Sequence, residues 1–234
     1  MGSEIVLGSI ATAWAMALTV LMARWDKLSL SEIGVVPDNR SSVRLGIGLG
    51  MGLIIVAVWW VALAASGYVE WIRFADTTPM TVAIALLAFV VLSSREELAF
   101  HGYPLQRLRK PFGIWGAQLF VTMIFVVEHM AGGWNWTQAL FGAGVGSLLF
   151  GMAAIATRGL AIPIGVHAGW NFGHWSLGHK GTAGIWSATA VEGYDDEAQF
   201  VGMIAYVAVM GSATLMFWWW HRHNKGQDRS SHGS

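Results

Sequence analysis

The chain has 234 residues, 55% of them apolar and only 12% Asp, Glu, Lys or Arg, with no cysteine and a formal net charge of zero. Soluble domains carry roughly 25% charged residues, so this composition excludes a solvated globule, a disordered chain and a disulfide scaffold. It also excludes a basic nucleic-acid binder, and no nucleic-acid partner is expected. A mean hydropathy of +0.51, with 29 Gly and 14 Trp, points to a multi-pass membrane protein whose surroundings are the lipid bilayer.

A span needs about 20 predominantly apolar residues. In chain order the sequence predicts seven: Ile5–Met22, Val43–Ala65, Met80 to about Leu108, Phe112–Met130, Thr137–Thr157, Leu160–Leu177 and Phe200–Trp220. Ile5–Met22 lacks the basic n-region and cleavage pattern of a signal peptide. Leu28–Asn39 is long enough for a short surface helix ended by Pro37, and Pro111 predicts a turn at Lys110–Pro111 between spans three and four. With the N-terminus outside, 12 of the 14 Lys and Arg, Arg95 included, fall in cytoplasmic segments, while the last outer loop holds Glu192, Asp195, Asp196 and Glu197. The expected fold is an all-α polytopic bundle of seven helices, N-out and C-in, or eight if Gly178–Gln199 hides a re-entrant segment. Residues 1–234 form one integral membrane domain, with a motif-bearing core at 80–175 and a polar cytoplasmic tail at 221–234.

Trp59, Trp60, Trp134, Trp136, Trp175 and Trp218–Trp220 fall near helix ends, either as interfacial anchors or packed between helices. The alternating Gly46, Gly48, Gly50 and Gly52 and the pair Gly142 and Gly146 make no nucleotide fingerprint and read as points of close helix approach.

A charge near the bilayer centre costs about 3 kcal/mol on insertion scales, so ionisable residues there are functional candidates. Glu96 and Glu97 interrupt the third span, His129 lies in the fourth, and His167 and Asn171 lie in the sixth. Counting about 1.5 Å per residue from the turns brings Glu96, His129 and His167 to comparable depth. His167 and Asn171, four apart, share a helix face, as do Glu97 and His101. Adjacent Glu96 points about 100° from Glu97, one carboxylate for a cavity and one for a neighbour; Glu128 points away from the site. Each residue also has a plainer reading. Glu97 and His101 make a structural pair, Asn171 joins helices, and His174 and His179 are solvated near the outer surface. A carboxylate and an imidazole flanking one water can activate it for attack, and a second imidazole with an amide can stabilise an oxyanion. No Cys exists and no Ser lies in a Gly-x-Ser-x-Gly context, which disfavours an intramembrane serine or cysteine protease.

Glu96-Glu97-Leu98-Ala99-Phe100-His101-Gly102 resembles the EExxxR-Gly motif of the CAAX protease and bacteriocin-processing family of intramembrane proteases. Phe125 to His129 resembles its FxxxH motif and His167 to Asn171 its HxxxN motif, in the family's order. Leu30–Gly34 resembles a short stretch that often precedes the family core. The resemblance implies a glutamate-dependent endopeptidase without an obligatory cofactor, in a prokaryotic plasma membrane, acting on a membrane-anchored protein or peptide. It implies Glu96 as general base, His129 positioning the water, His167 and Asn171 as oxyanion hole, and Glu97 with His101 as supporting residues. His101 stands where the family usually has Arg. Three other readings stay open: a zinc peptidase using Glu96, His129 and His167, a non-catalytic immunity or scaffold protein, and a transporter.

Overall fold

The computed structural model describes residues 2–74, 77–180 and 184–230. Helices occupy all seven predicted stretches: α1 (Gly2–Trp25), α2 (Ser41–Ala65), α3 (Pro79–Glu96), α4 (Tyr103–Ala131), α5 (Val145–Thr157), α6 (Ala161–Ser176) and α7 (Asp195–Ser230). Four of the described helical segments are long and apolar enough to cross a membrane: Ile5–Trp25, Ser41–Ala65, Gln138–Thr157 and Asp195–Asn224. The other three stretches are shorter or carry charge.

The third stretch is not one continuous α-helix. Pro79 starts α3, with Thr78 capping it by accepting from the Thr81 backbone N–H at 3.2 Å. A π-helical segment, Glu97–Gly102, then follows before α4 begins at Tyr103. The predicted turn at Lys110–Pro111 falls later, at Gly113 within α4 (φ 68°, ψ −175°), a conformation that favours glycine. The rings of Phe100 and Phe125 meet at 4.9 Å, whereas 25 residues of straight helix would separate them by about 37 Å. The chain therefore doubles back, and the midpoint of that pair falls at the Gly113 break. Glu96 lies 17 residues before Gly113 and His129 lies 16 after it, which puts them at matching heights.

Helix α6 is set by α2. A Cβ on Gly48 would lie 2.3 Å from the Ile162 carbonyl oxygen, one on Gly52 2.3 Å from that of Val166, and one on Gly165 2.3 Å from that of Leu45. The two backbones touch, so these glycines are obligatory; Gly46 and Gly50 face open space. His167 and Asn171 follow Gly165 and Gly169 by two residues, about 200° round the helix, and so point away from α2. Gly165→Ala is expected to destabilise the protein by about 1–3 kcal/mol, while Gly50→Ala is neutral or slightly stabilising. Thermal unfolding of both variants in detergent checks this; equal melting temperatures would refute the backbone contact.

Several expectations are corrected. Leu28–Asn39 forms turns instead of a surface helix; Ile33 and Val35 are buried in the core, and the Leu160 N–H donates to the Gly34 carbonyl at 3.2 Å. The described part of Gly178–Gln199 contains a strand, β2 (Trp186–Ala190), not a re-entrant helix; it pairs antiparallel with β1 (Val69–Arg73). Its acidic residues Asp195, Asp196 and Glu197 open α7, where they favour the positive helix end. Arg95 does not lie in a loop: its guanidinium donates to Glu96 Oε1 at 2.5 Å, so it leaves the count that sets orientation. Trp59 and Trp175 are buried packing residues, whereas Trp134, Trp136 and Trp219 are exposed. Past the end of α1, the Tyr103 hydroxyl (2.7 Å) and then the Arg107 guanidinium bond the Asp26 carboxylate, holding it below the usual carboxylate range and tying α1 to α4.

Candidate active site

Glu97 is the centre of the buried polar network. Its side chain is fully buried, and an ionised carboxylate only accepts hydrogen bonds. His101 Nδ1–H donates to Glu97 Oε2 and His167 Nδ1–H donates to Glu97 Oε1, each at 2.8 Å. The i,i+4 pairing of Glu97 with His101 is thus joined by a second imidazole from α6. The Nε2 of His167 lies 3.7 Å from Glu96 Oε2. Glu96 thus faces the cavity while Glu97 serves a neighbour, His101, and the two carboxylates also flank opposite nitrogens of the His167 imidazole. Phe150 of α5 stacks on the His167 ring (4.1 Å, 11°) and fixes its plane.

His129 Nδ1–H donates to the Phe125 carbonyl oxygen (2.9 Å), and Glu128 Oε2 lies 3.0 Å from the same nitrogen. Glu128 therefore contacts the site's histidine, contrary to the expectation that it points away. With Nδ1 engaged as donor, neutral His129 keeps an acceptor at Nε2. Its ring is boxed by Phe125 (4.4 Å) and by the edge of Trp134 (5.0 Å).

Glu96, His129, His167 and Asn171 all line one cavity of about 510 Å³, with Phe125, Trp134, Phe150 and Trp170 among the surrounding walls. This places the three motifs, from three separate helical stretches, around a common space. Lys180 and His179 also line it, as do Val69 of β1 and Ala188 and Ala190 of β2, so the cavity runs from the polar cluster towards the sheet. His174 is less solvated than expected: its Nε2 is buried and its ring stacks on Trp59 at 4.6 Å. Among the described residues no three His, Cys, Asp or Glu side chains form a group that could hold a metal ion. His129 and His167 each spend Nδ1 on a protein acceptor, which orients the ring and leaves Nε2 as its remaining polar atom.

Three polar residues escaped the sequence reading. Ser147 on α5 lies 3.2 Å from His101 Nε2 and 3.1 Å from Thr122 Oγ1 on α4. Gln118 donates to the Ser147 and Leu148 carbonyls at 3.3 and 2.8 Å. A signal was present: Gln118, Thr122, Phe125 and His129 recur at helical spacing along one face of the fourth span.

Residues 78–173 match the family model described as type II CAAX prenyl endopeptidase Rce1-like. In this segment the chain is similar to the Rce1-like family of CAAX proteases. No curated protein and no solved structure matches the chain. The matched span holds all four cavity-lining polar residues of the three motifs, and it begins at Thr78, the cap of α3. The family is one of membrane proteases, in keeping with the apolar helices of this Rce1-like chain.

Proposed function

We propose that this Rce1-like chain is an intramembrane endopeptidase that hydrolyses a peptide bond of a membrane-anchored protein or peptide by water attack. The single observation that carries the reading is the convergence of Glu96, His129, His167 and Asn171 on one largely apolar-walled cavity. Glu96 takes a proton from the attacking water, which His129 positions through Nε2, and returns it to the amide nitrogen as the C–N bond breaks. The tetrahedral oxyanion accepts hydrogen bonds from Asn171 and from His167 Nε2–H. His167 Nδ1–H is committed to Glu97, so donation from Nε2 requires a proton on both ring nitrogens. The CAAX prenyl endopeptidase model matched by residues 78–173 supports a substrate held in the membrane by a lipid or an apolar anchor.

Cleavage of a membrane-anchored peptide library in liposomes, comparing wild type with Glu96→Gln, tests this reading. Cleavage lost only in the variant supports it; equal cleavage by both overturns the role of Glu96. An unaffected rate in the presence of a chelator is expected, and loss of activity restored by zinc would replace the mechanism with a metal-dependent one.

The proposed topology is seven crossings with the N-terminus outside. The break at Gly113 lies beside Arg107, Arg109 and Lys110, whereas the cavity runs towards β1 and β2 at the other ends of the helices. In that orientation substrate enters from the outer side. The natural chain has no cysteine, so Ala188→Cys supplies a single reporter. Labelling of intact cells by a membrane-impermeant thiol reagent is the expected result, and labelling only after lysis would reverse the assignment.

A further inference from the structure

Hydroxyl side chains in helices commonly bond the carbonyl one turn back. Thr12, Ser94, Thr157, Ser176 and Thr214 all do so here, each donating to the carbonyl four residues earlier. Ser147 and Thr122 bond differently. Their hydroxyl oxygens lie 3.1 Å apart across α5 and α4, and Ser147 Oγ reaches His101 Nε2 at 3.2 Å. Ser147 and His101 are fully buried, and Thr122 is nearly so.

An arginine at position 101 would bring a permanent charge and several donors of its own to Glu97. A histidine brings two ring nitrogens. One, Nδ1, is used by Glu97; the other, fully buried, costs about 1–3 kcal/mol if left without a partner. Ser147 supplies that partner, and Thr122 completes the hydroxyl pair. A hydroxyl can both donate and accept, so the pair serves His101 in either form. The Nε2–H of an imidazolium donates to Ser147 Oγ while the Ser147 hydroxyl donates to Thr122 Oγ1. The Nε2 lone pair of a neutral ring instead accepts from Ser147, which then accepts from Thr122.

We propose that Ser147 and Thr122 are positioning residues. Their paired hydroxyls hold His101 in place; His101 orients the Glu97 carboxylate, and Glu97 in turn fixes the tautomer and ring angle of His167. The chain Thr122, Ser147, His101, Glu97, His167 runs through α4, α5, the π-helical segment and α6, and ends at the cavity. Its effect on turnover rests on the peptidase reading above, whereas its hydrogen bonds do not.

The test pairs two substitutions of opposite character. Thr122→Val keeps the shape and removes the hydroxyl; Thr122→Ser keeps the hydroxyl and removes a methyl. Ring ¹⁵N resonances of His101, assigned by their loss in His101→Gln, are read in detergent for wild type, both variants and Ser147→Ala. The Nε2 resonance is expected to move in Ser147→Ala and Thr122→Val and to stay in place in Thr122→Ser. On a cleavable peptide, kcat is expected to fall about tenfold in Thr122→Val and further in Ser147→Ala, with KM within twofold and Thr122→Ser near wild type. The reverse order, Val near wild type and Ser impaired, would show packing alone and overturn the proposal. So would a His101 resonance indifferent to Ser147→Ala. If wild type cleaves nothing, the peptidase reading fails while the ring resonances still decide the positioning role.

Discussion

Replacing Glu96 with Gln is expected to lower kcat by about three orders of magnitude while leaving the folded protein intact. A positioned general base contributes roughly 10²–10⁴-fold, and an amide of the same size has no basic lone pair to take the proton from water. Glu96 lines the cavity and is only partly buried; it pairs closely with the adjacent Arg95 and lies 3.7 Å from His167 Nε2. The closer of these interactions, with Arg95, is not part of the packed core. Its melting temperature in detergent should stay within a few degrees of wild type. Glu96→Asp, with a carboxylate about one bond short, is expected to retain partial activity. A Glu96→Gln enzyme within tenfold of wild type would refute this residue as the base.

Glu97 carries the opposite expectation: its loss should damage the fold and the chemistry together. Two imidazoles from different helical elements donate to its two oxygens, with the carboxylate, His101 and His167 all buried. Removing one partner of such a buried ionic cluster costs about 3–5 kcal/mol, because the remaining polar groups stay desolvated without an acceptor. In Glu97→Ala both Nδ1–H groups lose theirs. In Glu97→Gln one oxygen still accepts, but the new NH₂ faces the other Nδ1–H, donor against donor. The expected order of thermal stability in detergent is wild type, then Gln, then Ala, and neither variant should cleave above about one per cent of the wild-type rate. A Glu97→Ala protein that melts with wild type would show that the carboxylate does not hold this cluster. The contrast between neighbouring glutamates separates their duties: one variant should be folded and inactive, the other both unstable and inactive.

Much of the arrangement was legible in the sequence because it depends on local pattern. The apolar stretches marked where helices form, and polar residues stood out against that background. The equal depths of Glu96 and His129 follow from counting residues to a turn; moving that turn from Lys110–Pro111 to Gly113 shifted both counts without separating the pair. The spacing of His167 and Asn171 placed them on one face, and the glycines two residues before each turned that face towards the cavity. Sequence spacing did not show that both Glu96 and Glu97 would flank His167. The angle between adjacent side chains on one helix does not say where a third helix will put its imidazole.

The sequence by itself determined that this chain lives in a membrane, where its helices run, and which charged and polar residues interrupt them. Those properties are set by composition and by periodicities of a few residues. The tertiary structure alone decided which partners the interruptions find: Ser147 for His101, His167 for Glu97, α6 pressed backbone to backbone on α2, and β1 paired with a β2 more than 100 residues later. Each of these joins residues far apart in the chain, through contacts only a few ångströms long. Single-chain periodicity carries no record of such meetings, because they are selected by the packing of whole helices against one another.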